Sequence, residues 1–120
     1  MKEYSFEKLE VWKLAKKFSL KIYTITEKYP DSERFGLTSQ LRRASVSIST
    51  NLAEGSGRNT GKDKAHFTQL AFGSLMECLN LLLISKDLEL ISEDEINSLR
   101  LEIDEMSKKL SNYRRSQLNH

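Results

Sequence analysis

The chain has 120 residues, 38% hydrophobic and 30% charged, with one proline, one cysteine and a formal net charge of +2. This excludes a disordered chain and an intrachain disulfide framework, and the length sets one domain able to bury a core. So few breakers favour long helices over many short strands.

The first helix is predicted over about 6–29. Val11, Ala15, Phe18, Ile22, Ile25 and Tyr29 recur at spacings of 4, 3, 4, 3 and 4, the seam of a helix packed on others. Lys13, Lys17, Lys21 and Lys28 mark its solvated face, Trp12 borders the seam, and Pro30 stops it. The second helix is predicted over 36–55. Val46 to Ser49 alternates like a strand, but Leu37, Leu41, Ala44, Ile48 and Leu52 form a longer helical stripe, and length decides. Gly55 and Gly57 end it. Gln40, Ser47, Asn51 and Glu54 run beside that stripe, a small polar flank suited to close helix approach or a subunit contact.

The third helix is predicted over 61–90, opened by Thr60 and Asp63 at capping-box spacing. Phe67, Ala71, Ser74, Cys78, Leu82 and Ser85 follow a heptad, and Leu70, Leu75, Leu79 and Leu81 widen the apolar face. So wide a face calls for contact on more than one side. Ser92 to Glu95 is a capping box opening the fourth helix, 93–115, with Ile96, Leu99, Ile103, Met106, Leu110 and Tyr113 as its seam. Residues from Ser116 onward are expected to fray. Short connections make neighbours antiparallel, so the expectation is all-α: an antiparallel up-down-up-down four-helix bundle, one domain over 1–120.

The lone Cys78 fits a reducing compartment, the N-terminal MKEYSFEKLE lacks the apolar core of a signal peptide, and the longest apolar run, Leu81 to Ile84, is too short to span a bilayer. These predict a cytoplasmic chain without membrane contact.

FGLTSQLRRA at 35–44 and the spaced S-I-x-x-N-L-A-E-G of 47–55 resemble the four-helix-bundle proteins encoded within intervening sequences of bacterial 23S rRNA genes. FEKLEVWKLA at 6–15 and F-x-Q-L-A-x-G-S-L-x-E at 67–77 extend the likeness over nearly the whole chain. Ser49 stands where many relatives have proline, which makes the second helix more regular here. The resemblance implies a cyclic homo-oligomer, a homopentamer. It also implies a fold similar to the accessory proteins of diversity-generating retroelements, basic pentameric barrels that bind nucleic acid. That is analogy of fold alone.

Charge is segregated along the chain. Residues 1–64 hold 13 Lys+Arg against 8 Asp+Glu, residues 65–105 hold 2 against 9, and residues 106–120 hold 4 against none. An antiparallel bundle gathers Arg58, Lys62, Lys64, Lys108, Lys109, Arg114 and Arg115 at one end, a candidate surface for RNA or DNA backbone. The acids gather at the other end. The helix dipole favours the same arrangement in the fourth helix, so its polarity also has a purely structural explanation. Tyr4 and Tyr113 are the aromatics evident near the basic end, so any binding is expected to be backbone-dominated.

Other motifs fail. Ser56 to Asp63 imitates a phosphate-binding P-loop, but Ser56 replaces its first glycine, Asp63 replaces the hydroxyl residue and no strand precedes it. His66 and Cys78 lie twelve residues apart on one helix, roughly 18 Å, and cannot form a nucleophile–base pair within a subunit. His120 is terminal. No metal, cofactor or small-molecule site is expected. Arg42, Arg43, Glu54 and Glu77 lie beside apolar seams and are expected to pair within the bundle or between subunits, with Gln40 and Asn51 as further structural or interface polar residues. The expectation is a non-enzymatic oligomeric bundle binding nucleic acid at its basic end. The alternative is a protein–protein scaffold that binds none.

Overall fold

Four helices make up the computed structural model, which describes residues 1–119: α1 (Glu10–Thr26), α2 (Leu37–Ser56), α3 (Gly61–Asp87) and α4 (Glu93–Leu118). Short 3-10 turns occupy Ser5–Lys8 and Asp31–Glu33, and no strand occurs among the described residues. His120 lies outside them. The helices pack into one body of 45 × 29 × 21 Å. α2 and α3 share the most extensive contact and α1 and α4 the thinnest. Along that thin seam runs a groove of about 450 Å³ containing Leu20, Ile25 and Leu99.

The core is built from four apolar stripes. Val11, Ala15, Phe18 and Ile22 come from α1, and Leu37, Leu41, Ala44, Ile48 and Leu52 from α2. Ala71, Leu75, Cys78 and Leu82 come from α3, and Ile96, Leu99, Ile103, Met106 and Leu110 from α4. Burial of these side chains is the main driving force holding the helices together. Ser19 ties α1 to α2 by donating to the Ser45 carbonyl at 2.9 Å.

Helix ends depart from the expected bounds for identifiable reasons. The first helix begins at Glu10, not near residue 6, because Leu9 is extended and a 3-10 turn precedes it. The Tyr4 amide donates to the Glu7 carboxylate at 2.8 Å, and Phe6 packs edge-on to Trp12 with ring centroids 5.1 Å apart. At its other end α1 stops at Thr26, and Tyr29 folds back into the core beyond the helix. The Tyr29 hydroxyl is buried without a hydrogen-bond partner among the described residues; Ser85 approaches it, but the Ser85 hydroxyl donates to the Leu81 carbonyl at 2.8 Å.

α3 stops at Asp87, short of the expected residue 90. Glu89 has a φ of 61°, its amide donates to the Lys86 carbonyl, and the Leu90 amide donates to the Ser85 carbonyl, both at 2.9 Å. That pair of bonds is a Schellman ending, built on a glutamate where glycine is usual. Ser92 and Glu95 form the complete capping box that starts α4. α4 continues to Leu118 where fraying from Ser116 was expected, because Gln117 is buried against α3.

Gly55 does not end α2 but lies inside it. A Cβ there would stand 2.8 Å from the Cβ of Phe67, so the glycine lets α3 approach closely. α3 is long and apolar enough by length and composition to cross a membrane, which the short uninterrupted run Leu81 to Ile84 did not reveal. Its inner stripe lies in the common core.

Candidate nucleic-acid interface

The start of α3 and the end of α4 meet through polar side chains. Thr68 Oγ1 donates to Gln117 Oε1 at 2.7 Å, a buried bond, and the same hydroxyl approaches the Lys64 carbonyl at 3.2 Å. One turn before Gln117, Arg114 and Arg115 border a groove of about 330 Å³ that also contains Gln69, Phe72 and Leu110. Arg58, in the α2–α3 loop, lies over the Phe67 ring at 4.5 Å. The loop and the last turns of α4 thus supply cations around the first turns of α3.

The basic residues are not equally available. Arg114 and Arg115 are exposed at the groove, although Arg115 also donates to Asn112 at 3.2 Å. Lys62 and Lys108 are exposed and Lys64 is half-buried. Lys109 pairs with Glu10 at 3.1 Å, which ties α4 to the start of α1 and offsets its charge. The N-terminus of α3 adds the positive end of a helix dipole to this region. Thr60 caps it by accepting from the Asp63 amide at 3.1 Å.

A second cationic strip lies on the solvated face of α1. Lys13, Lys16 and Lys17 border a shallow groove with Trp12 and Glu7. Lys16 lies 5.1 Å from the Trp12 ring centre. Gln117 and Thr68 were also missed, because a polar residue carries no signal in an apolar repeat.

The candidate structural polar residues divide into two groups. Arg42 serves its own subunit: its Nε donates to Thr26 Oγ1 at 2.9 Å, its Nη2 to the Tyr23 carbonyl at 3.3 Å, and it covers the Tyr23 ring at 4.6 Å. It thereby caps the C-terminal end of α1, where cations are favoured. Asn51 donates to the Ser47 carbonyl at 2.9 Å, and Ser74 donates to the Ser47 hydroxyl at 3.0 Å, joining α3 to α2. Gln40, Arg43, Ser47 and Glu77 border a groove of about 400 Å³ between these two helices. Arg43, Glu54 and Glu77 form no ion pair among the described residues.

His66 packs edge-on to Phe67 with ring centroids 5.8 Å apart. Cys78 is buried, and burial, with the Glu77 charge beside it, pushes its thiol up to about 12. A thiol so held is inert at neutral pH. No cluster of three or more metal-ligating side chains occurs among the described residues.

The family described as 23S rRNA-intervening sequence protein matches residues 7–112 of the chain. Among solved structures, a protein of unknown function from the S23 ribosomal protein family of Bacteroides thetaiotaomicron is similar in fold, with a TM-score of 0.80 at 19% identity. The likeness covers 88% of this chain and 95% of that one. None of the curated proteins matches the chain.

Proposed function

This chain belongs to the 23S rRNA-intervening sequence protein family, and on that premise we propose that it is a non-enzymatic, cytoplasmic homo-oligomer that binds RNA or DNA backbone through its basic end. Its subunit is read as an antiparallel up-down-up-down four-helix bundle. The pentamer is what the resemblance to the family implies. The observation that carries the reading is the meeting of Arg114 and Arg115 with the first turns of α3 around one groove, while Arg58 lies over Phe67 on the side of α3 that packs on α2. A ring would repeat that cluster several times, and each phosphate neutralised adds to a salt-dependent affinity. Phe67 and Phe72 lie close by, but no row of exposed aromatics is present there, so recognition would be by backbone and shape.

The test is binding of labelled structured RNA and duplex DNA across a salt series. Wild type is compared with a variant carrying Arg58, Lys62, Lys108, Lys109, Arg114 and Arg115 changed to Ala, with the mass of both in solution checked. The expected result is binding that weakens steeply with salt and is lost in a variant of unchanged mass. Equal binding by the variant, or none at low salt, overturns the reading. The rival, a protein–protein scaffold, is favoured by the apolar outer face of α3 and would then stand first.

A further inference from the structure

We propose that the groove between the start of α3 and the end of α4 holds one unpaired nucleotide, its base against Phe72 and its phosphate on Arg114 and Arg115. The partner is then single-stranded or looped nucleic acid in preference to duplex. This rests on the reading of the basic end as a nucleic-acid surface and names the class of strand it takes.

The groove has two chemically distinct parts. One is apolar: Phe72, Leu110 and Leu118. Leu110 is buried, Phe72 is half-buried and packed against the core, and Leu118 is 48% exposed. The other part is cationic. Arg114 and Arg115 border the groove, and neither has an ion pair among the described residues. No carboxylate borders it among the described residues. The sequence keeps acids away on both sides, with none from Lys64 to Met76 and none after Glu105.

A surface that only gathers phosphates needs cations and no apolar wall. Here an aromatic ring and two leucines share one concavity with the arginines, so the matching ligand carries a flat apolar body beside its anion. A nucleotide has both. Planar guanidinium groups take phosphate oxygens in pairs. Stacking on an aromatic side chain accepts any base, because every base has a π-face. Gln69 lies exposed on the same groove, and its carboxamide both donates and accepts, so it can meet the edge of any base. At about 330 Å³ the groove is near the small end of ligand sites, which suits one monomer of a strand.

Duplex fits less well for a physical reason. Its bases are stacked on both faces and paired along their edges, so it offers the groove phosphates alone. An unpaired nucleotide offers base and phosphate together. An acidic peptide brings anions on aliphatic stems and leaves the aromatic wall unmatched.

The experiment titrates labelled RNA and DNA strands about 12 nucleotides long, alone and annealed to their complements, at one salt concentration. The proteins are wild type, Phe72→Leu, Gln69→Ala and the double variant R114A/R115A, with folding followed by circular dichroism. Wild type is expected to bind single strands about tenfold tighter than duplex. Phe72→Leu is expected to lose about tenfold for single strands and nothing for duplex, and the double variant to lose both. Duplex bound as tightly as single strand overturns this inference and leaves the basic end standing, as does single-strand binding unchanged in Phe72→Leu. No binding of any strand by wild type overturns both. A double variant that binds like wild type places the strand elsewhere and overturns the inference. If Phe72→Leu unfolds, Gln69→Ala decides: it is expected to weaken single-strand binding alone, and unchanged binding overturns the proposal. Polyglutamate that displaces the strand at equal charge concentration would make the groove a site for anions of any kind, and would also overturn it.

Discussion

Thr68 and Gln117 are 49 residues apart in sequence and share a buried hydrogen bond of 2.7 Å. It fastens the last turn of α4 to the first turns of α3, beside the arginines of the basic end. Gln117→Ala should remove this interhelix bond, leaving the Thr68 hydroxyl only the Lys64 carbonyl at 3.2 Å, and lower stability by about 1 kcal/mol. Urea unfolding checks this; an unchanged midpoint would show that the bond contributes nothing net.

Two glycines should respond oppositely to the same substitution. At Gly55 a new Cβ meets Phe67 at 2.8 Å, and at Gly73 it meets open space. Gly55→Ala is expected to destabilise by roughly 1–3 kcal/mol through overpacking of α2 on α3. Gly73→Ala is expected to stabilise the isolated subunit by about 1 kcal/mol through helix propensity. Thermal melts of the two variants at a concentration where the subunit is monomeric separate the effects.

Glu89 holds a left-handed backbone conformation at the end of α3. Glycine adopts that conformation without the steric penalty a Cβ brings. Glu89→Gly should therefore raise stability by about 0.5–1 kcal/mol, and the melting temperature by roughly 2–4 °C for a domain of this size. A melting temperature that falls would mean that the glutamate side chain compensates for its backbone.

Stability should decline at alkaline pH. Cys78 is raised to about 12, first by burial and then by the Glu77 charge. Tyr29 is raised by burial, with Glu95 adding to the shift and Ser85 opposing it. Both groups are neutral when protonated, so the folded state holds their protons more tightly than the unfolded chain does. Their contribution is complete below the unfolded pKa values, near 9 for the thiol, and is lost as pH climbs toward 12. The slope for one such group reaches about 1.4 kcal/mol per pH unit. Denaturation midpoints between pH 8 and 11 test the sign. Cys78→Ala should flatten the decline, whatever cavity it opens.

Much of this architecture can be read before any coordinates. The seams of α2 and α4 are legible because apolar residues there alternate cleanly with polar ones, and every position from Leu37 to Leu52 and from Ile96 to Leu110 in those stripes is buried. α3 is less legible because it is apolar nearly all round. The heptad predicts Phe67 and Ser74 on its seam, but both are half-buried, while Ala65, Thr68 and Leu75 hold the interior. Gln117 continues the α4 seam seven residues after Leu110, yet an apolar repeat cannot include a glutamine. Leu9 breaks the first helix with no glycine or proline to announce it, and Glu89 turns the chain where glycine would have been the signal. At the basic end, charge clustering was legible but individual pairing was not: nothing in the sequence ties Lys109 to Glu10.

The thin contact between α1 and α4 gives the molecule a line along which it can breathe. α3 packs broadly on both α2 and α4, and the first helix is fastened chiefly along α2, with Lys21–Glu102 at 2.8 Å and Lys109–Glu10 at 3.1 Å as clasps on its far side. Exposed clasps of this kind hold weakly. Amide exchange should therefore show α1 opening at a lower free energy than α3, as a separate cooperative unit; equal protection of the two helices would refute this. A first helix that swings out like a door carries Val11, Ala15, Phe18 and Ile22 out of the core and bares the apolar stripes they covered, and a neighbour's identical helix fits the opening as well as its own.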